Sequence, residues 1–251
     1  MELHEYATMA AFEDFYWWYQ GLHGAIADLL RAAGVGAGAS VLDAGCGTGG
    51  NLASMRRALG VQPFGFDYSP EAGKFWENRQ LRRCAVASIN EIPYASNTFD
   101  AVVSIDVLES DAVDERKAVS ELIRVTRPGG LLLLVVPAYR WLLTEEHHRA
   151  VHASRRYTRP QVVALLRGSA VQVLRATHFF TLLFPAIAAY RLALQRLSPP
   201  SGDDVPRSEL KPLPTPINAG FAGIMRIERA LLRGVNLPFG SSILVLGRKA
   251  S

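Results

Sequence analysis

The segment VLDAGCGTGGN at residues 41–51 limits the fold more than any other stretch of the chain. A short apolar run ends in a carboxylate, Asp43, passes through a turn holding Gly45, Gly47 and Gly49, and enters a helical pattern from Gly50 to Leu59. Glycine removes the Cβ where backbone must turn sharply and where a ligand approaches closely, and the helix that follows offers free amide donors. Strand, turn and helix in that order form the opening unit of a parallel α/β sheet. The same letters satisfy G-x-G-x-x-G through Gly45, Gly47 and Gly50, a pattern that also fits dinucleotides, so the turn alone does not name the ligand.

The chain around this motif alternates. Strand-length apolar runs at 40–43, 63–67, 83–87, 99–105 and 131–136 are interleaved with helical patterns at 50–59, from 70 onward, and through Leu122 and Val125. Right-handed crossovers then give a parallel sheet covered on both faces, with ligands beyond the carboxyl ends of its strands. Ahead of it, apolar residues at helical spacing predict a helix from Phe12 to Leu30, stopped by Gly34, Gly36 and Gly38. Behind it come a basic loop to Tyr157, a helix with Thr158 and Gln161 as a capping box, a strand at 171–177 and a last strand at 242–247. The more than sixty residues between those two strands are an insertion: an apolar helix from Phe179 to Leu197, a proline-rich connector at 198–216, and an amphipathic helix from Ala219 to Leu232. The apolar stretch is shorter than the roughly 18 to 20 residues a bilayer requires. The expected organisation is one domain: an N-terminal helical lid at 1–37, a core at 38–178 with a variable loop at 138–157, the insertion at 179–239, and the last strand and tail at 240–251.

Composition adds bounds. With 49% hydrophobic and 20% charged residues among 251, the chain is globular rather than disordered. Cys46 and Cys84 cannot staple a small secreted scaffold, and the absence of a cleavable leader points to a cytoplasmic protein, at most peripheral to the inner membrane. The net charge of +4 is small for this length, and much of it falls between Arg140 and Arg159, as a local anion site or a solvated basic loop. No nucleic-acid partner is expected.

Asp43 separates the ligands that the glycine turn leaves open. A carboxylate two residues before the first glycine faces a pyrophosphate with repulsion of about 1 kcal/mol in water and about 4 kcal/mol near a protein surface per unit charge at about 4 Å. The same group attracts the ammonium and sulfonium of S-adenosylmethionine. Asp67, twenty residues after Gly47, ends the next strand and can accept two hydrogen bonds from a ribose diol. Tyr68 either packs on an adenine face or closes the pocket as a half-exposed aromatic.

Four stretches, VLDAGCGTGGN, FGFDYSP, ASINEIPYASNTFDAVVSIDVLES at 87–110 and RVTRPGGLLLLVVP at 124–137, together resemble the class I S-adenosylmethionine-dependent methyltransferases, in the small-molecule branch typified by quinone-ring methyltransferases. The resemblance implies a Rossmann-like fold with a seven-stranded, mostly parallel sheet whose last strand is antiparallel. It implies S-adenosylmethionine as cofactor and S-adenosylhomocysteine as product. Carried over, Asp43, Gly45, Cys46, Gly47 and Asn51 belong to the methionine-binding turn, Asp67 to the ribose and Tyr68 beside it. Ser88 and Ile89 meet the adenine edge, and Ile105 and Asp106 lie beside the transferable methyl group. Ser88 stands where the family usually has an acidic residue, and Ser110 replaces a histidine common in the branch. Glu109 is expected to cap the next helix.

Methyl transfer is an in-line displacement that needs a base only when the acceptor must lose a proton. Candidate catalytic residues are Tyr16, Tyr139, His147 and His148, with Glu145, Glu146, His152 and Tyr157 in the same loop. Trp17 or Trp18 is a candidate lid over the cofactor. The apolar helix from Phe179 beside a basic loop fits a small, hydrophobic or lipid-linked acceptor methylated on oxygen or nitrogen. The same helix could lie on a membrane surface, form a homodimer interface or pack internally. The rival functions are an NAD-dependent oxidoreductase and a non-catalytic adenosyl-binding module. Were the crevice filled by protein side chains, the case for a cofactor site would collapse.

Overall fold

The computed structural model describes residues 1–197 and 210–251, and at Glu146 the backbone alone. Seven strands form one sheet: β1 Ser40–Ala44, β2 Gln62–Asp67, β3 Cys84–Val86, β4 Phe99–Ile105, β5 Thr126–Pro137, β6 Val171–Phe179 and β7 Ser242–Lys249. Their order is β3-β2-β1-β4-β5-β7-β6. The pairs from β3 to β5 are parallel, whereas β7 runs antiparallel to both β5 and β6. The expected Rossmann-like arrangement with an antiparallel last strand is therefore present. Strand order reverses between β2-β1 and β4, the place where the carboxyl ends of an open sheet leave a crevice.

Helices cover both faces. α2 Trp17–Ala32, α3 Gly50–Leu59, α4 Pro70–Trp76 and α9 Thr215–Leu232 share one core through Leu22, Ile26, Leu52, Met55, Trp76 and Met225. α5 Glu115–Val125 and α7 Arg159–Leu165 close the other face through Val119, Leu122 and Val162. Ile26 and Leu30 are fully buried, so truncating either to alanine costs about 2 to 5 kcal/mol. At Gly21 an added Cβ would meet Met225 Cγ at 2.9 Å, so this glycine is what lets α9 lie close against α2.

Local chemistry sets several boundaries as the sequence predicts. Ser69 caps α4 by accepting from Glu71 N at 3.2 Å, with Pro70 at the first helical position. The capping box of Thr158 and Gln161 opens α7. Glu109 does not cap α5; that role falls to Asp114, whose carboxylate accepts from Arg116 N at 3.0 Å and Lys117 N at 3.1 Å.

Two segments differ from the sequence reading. The helix expected from Phe12 begins at Trp17, as α2, and a separate helix that the sequence reading does not place, α1 Leu3–Phe12, precedes it across a break at residues 13–16. Asn218 of α9 makes the break by accepting from Trp17 N and donating to Phe15 O, both at 2.9 Å, a cap from 201 residues away that no local pattern announces. The helix expected from Phe179 begins at Phe184 instead, as α8 Phe184–Leu197. Phe179 ends β6 and Phe180 turns the chain with φ of 62°, and both rings are fully buried, so neither can rest on a membrane. Short apolar runs do not distinguish buried strand from buried helix, which is the physical reason for the difference at this boundary. The basic loop holds a short helix, α6 Glu145–Val151. Most of the proline-rich connector lies outside the described residues. Among those residues no helix is long and apolar enough to cross a membrane.

Candidate active site

The crevice at the reversal of strand order is built by the turn between β1 and α3. Amides of Gly45 and Cys46 both donate to Phe66 O, at 2.9 and 2.8 Å, which locks the turn to β2. Gly45 has φ of 87° and an added Cβ would lie 2.4 Å from Val107 Cγ2, so both conformation and space demand glycine there. Gly49, at φ of 88°, is the N-cap of α3. Trp76 Nε1 holds the turn from outside by donating to Gly47 O at 2.8 Å.

Asp43 is 1% exposed at the end of β1. Its Oδ2 accepts from Asn51 Nδ2 at 2.9 Å, while Asp43 Oδ1 and Asn51 Oδ1 are buried without a hydrogen-bond partner. Burial pushes the Asp43 carboxyl up to about 7, opposed by the Asn51 hydrogen bond and helped by Asp67 and Glu13. Two unpartnered buried acceptors beside a carboxylate form a site short of donors, and a cationic donor group would satisfy it. Asp67, 8% exposed, ends β2. Its Oδ2 accepts from Gly47 N at 2.9 Å, and its Oδ1 accepts from Ser69 N and the Tyr6 hydroxyl, both at 3.0 Å.

Beyond β4 the backbone at Asp106 enters the left-handed region with φ of 49°, and its amide donates to Val135 O at 3.0 Å. The side chain keeps an accessible surface, and desolvation by the surrounding protein raises its carboxyl to about 6 against the pull of Arg156 and Arg191, which belong to the variable loop and the insertion. Glu109 is buried nearby with Oε2 unpartnered; burial, and then Asp106, push it well above the usual carboxylate range. Two arginines of the basic loop have structural roles: Arg155 donates to Leu108 O and Val113 O, and Arg156 to Ala138 O.

The remaining candidates are dispersed. Cys46 sits in the turn with a thiol raised by neighbouring Cys84 and by burial, and both cysteines are free. Tyr68 is 75% exposed. Ser88 Oγ accepts from Asn90 N at 3.2 Å, and Ile89 packs in the core of the α5 face. Ile105 is half-buried against the core of the opposite face. Tyr16 is buried against Phe12 and Trp17. The Tyr139 hydroxyl meets His178 Nε2 at 3.2 Å. His147 lies in the first turn of α6, and His148 faces Asp111 at 3.3 Å. Tyr16, Tyr139 and His148 thus have partners in different segments. Trp17 and Trp18 pack on Phe180, Trp18 in a stacked contact with ring centroids 5.5 Å apart. Among the described residues no cluster of His, Cys, Asp or Glu could hold a metal.

The cover comes instead from α1. Tyr6 reaches Asp67, Met9 Sδ lies 3.0 Å from where a Cβ on Gly47 would be, and Glu13, just after α1, accepts from Gly50 N at 3.0 Å and from the Thr48 hydroxyl. The glycine turn is therefore covered by side chains of the N-terminal segment rather than of the sheet or its layers. Sequence reasoning misses Tyr6, Glu13 and Trp76, and it reads Glu109 only as a helix cap. Glu109 and Trp76 sit within or near recognisable motifs, whereas Tyr6 lies 61 residues from its partner and has no local signal.

A family model described as a methyltransferase domain matches residues 42–134, the span from β1 to β5. The chain is 36% identical over 132 residues to demethylmenaquinone methyltransferase of Paenarthrobacter aurescens (strain TC1), covering 50% of this chain and 51% of that protein. It is 32% identical over 126 residues to sterol 24-C-methyltransferase of Yarrowia lipolytica (strain CLIB 122 / E 150), covering 47% of this chain and 32% of that protein. It thus spans about half of one relative and a third of the other. The solved structure of geranyl diphosphate C-methyltransferase from Streptomyces coelicolor A3(2) has the same fold, with a TM-score of 0.58 at 17% identity over 90% of this chain and 76% of that one. With its strand order, its antiparallel β7 and its acidic, glycine-rich turn, the chain has the Rossmann-like class I methyltransferase fold, and residues 42–134 match a methyltransferase domain.

Proposed function

We propose that this protein transfers a methyl group from S-adenosylmethionine to a small, hydrophobic acceptor through oxygen or nitrogen. The observation that carries the reading is the pair of unpartnered buried oxygens, Asp43 Oδ1 and Asn51 Oδ1, at a turn whose neighbouring carboxylate is Asp67. A pyrophosphate would bring negative charge to Asp43, whereas an ammonium supplies the missing donors and favours its charged form. Asp43 and Asn51 would hold the donor's amino acid end, Gly45 and Gly47 its approach to the backbone, and Asp67 its ribose. The bound donor supplies an electrophilic methyl carbon. Asp106, just beyond β4 with its carboxyl raised to about 6, is the candidate to take a proton from an acceptor hydroxyl or amine near neutral pH.

The acceptor is the finer part of the reading. Relatives carry the names norajmaline N-methyltransferase, sterol 24-C-methyltransferase, demethylmenaquinone methyltransferase and tRNA (carboxymethyluridine(34)-5-O)-methyltransferase, so likeness in the shared core does not transmit the acceptor. Exposed Leu182, Tyr190 and Leu192 support a peripheral membrane contact around α8. Liposome flotation that leaves all protein in the soluble fraction would remove that contact. Calorimetry with S-adenosylhomocysteine and with NAD tests the donor: heat with the first and none with the second is expected, and the reverse pattern restores the oxidoreductase. Transfer of a labelled methyl group to a lipid extract separates an enzyme from a non-catalytic binding module.

A further inference from the structure

Two of the turn's glycines are covered from α1 rather than from the core. A Cβ on Gly50 would lie 2.1 Å from Glu13 Oε2, and one on Gly47 would lie 3.0 Å from Met9 Sδ. Glu13 is firmly held: besides Gly50 and Thr48 it pairs with Arg79 Nη2 at 2.7 Å, and Arg79 also pairs with Asp14 at 2.9 Å. Tyr6, in the first half of the helix, touches the site through one hydrogen bond, its hydroxyl donating to Asp67 Oδ1.

That contact matters because a carboxylate offers about four acceptor positions, two on each oxygen. Asp67 Oδ1 already accepts from Ser69 N and Tyr6 Oη, and Oδ2 accepts from Gly47 N. A diol that binds both oxygens needs one position on each, and Oδ1 has none left. The Ser69 bond is part of the turn that caps α4, so Tyr6 is the partner that can leave.

Resting on the donor reading above, we propose that α1 is a displaceable plug of the donor crevice, in which Tyr6 occupies the ribose position on Asp67 and Glu13 is the anchor about which the helix moves. Donor entry then exchanges the tyrosine hydroxyl for a ribose hydroxyl on the same oxygen. The resting protein keeps Asp67 paired and its glycine turn covered, and donor affinity is lowered by the contact that must be broken.

The test compares wild type with Tyr6→Phe, which keeps the ring and deletes the hydroxyl. Calorimetry with S-adenosylhomocysteine should show binding roughly five- to tenfold tighter in the variant, the value of one hydrogen bond to a charged group offset in part by solvent. In ligand-free protein, amide exchange over residues 3–12 should be faster in the variant, while exchange in β4 and β5 is unchanged. Equal or weaker binding by Tyr6→Phe, or unchanged exchange over 3–12, overturns the plug and leaves the donor reading standing. Absence of binding by both proteins overturns both.

Discussion

Replacing Asp43 with asparagine should make the ligand-free protein more stable and the donor site useless. Asp43 is 1% exposed and its carboxyl is raised to about 7, against an ordinary value of 3.8. A carboxyl whose folded value lies above its unfolded value holds its proton more tightly when folded. Its contribution is intact below the unfolded value and is lost as pH rises through the folded one. The difference of about three pH units corresponds to roughly 4 kcal/mol at pH 8, and to under about 2 kcal/mol at pH 5. An asparagine side chain has no proton to lose and can still accept from Asn51, so the variant escapes this penalty. At the size of this chain, each kcal/mol moves the melting temperature by about 2 to 4 °C. Thermal denaturation followed by circular dichroism at pH 5 and pH 8 should therefore show Asp43→Asn gaining on wild type as pH rises. Added S-adenosylhomocysteine should raise the wild-type midpoint and leave that of the variant in place. A variant that melts at or below wild type at pH 8, or that keeps the full ligand shift, would refute the assignment of Asp43 as a buried charge awaiting a cation.

Other outcomes can be checked with ordinary assays. Asp67→Asn is expected to weaken S-adenosylhomocysteine binding by about tenfold or more, as a charged acceptor of two hydroxyls is lost, and calorimetry reads this directly. Gly45→Ala combines a φ of 87° with a Cβ 2.4 Å from Val107, so urea denaturation should show a loss of about 2 kcal/mol or more. Glu228→Ala strands the amides of Thr181 and Leu182, now bonded to its oxygens at 2.8 and 3.0 Å, and should cost about 3 kcal/mol, with Gln recovering part. Asn218→Ala removes the cap on α2 and should cost about 1 kcal/mol by the same measurement.

What the sequence discloses here is what depends on neighbours along the chain. The β1 turn, the carboxylates at 43 and 67, the strand at 99–105 and the capping box at Thr158 are all short-range patterns, and the structure places each element as read. The last strand is legible because a run buried on both faces has no polar alternation to blur it. Contacts between distant segments are invisible. Asn218 breaks the N-terminal helix from α9, Tyr6 meets Asp67 across 61 residues, and His178 pairs with Tyr139 across 39. The later start of α8 has another cause: Phe179 and Phe180 are equally apolar in strand, turn and helix, and only Ser242 opposite Phe179 shows that the ladder continues.

The position of β7 between β5 and β6 gives the chain an order of assembly. Residues 171–179 have no partner in the sheet until residues 242–249 have been synthesised, because β6 bonds to β7 alone. During synthesis β6 is thus a strand with both edges bare, the state in which nascent chains pair wrongly with one another. Closure of the sheet must follow a long loop, so the slowest step in acquiring the native state should be the arrival of this one segment between two waiting strands.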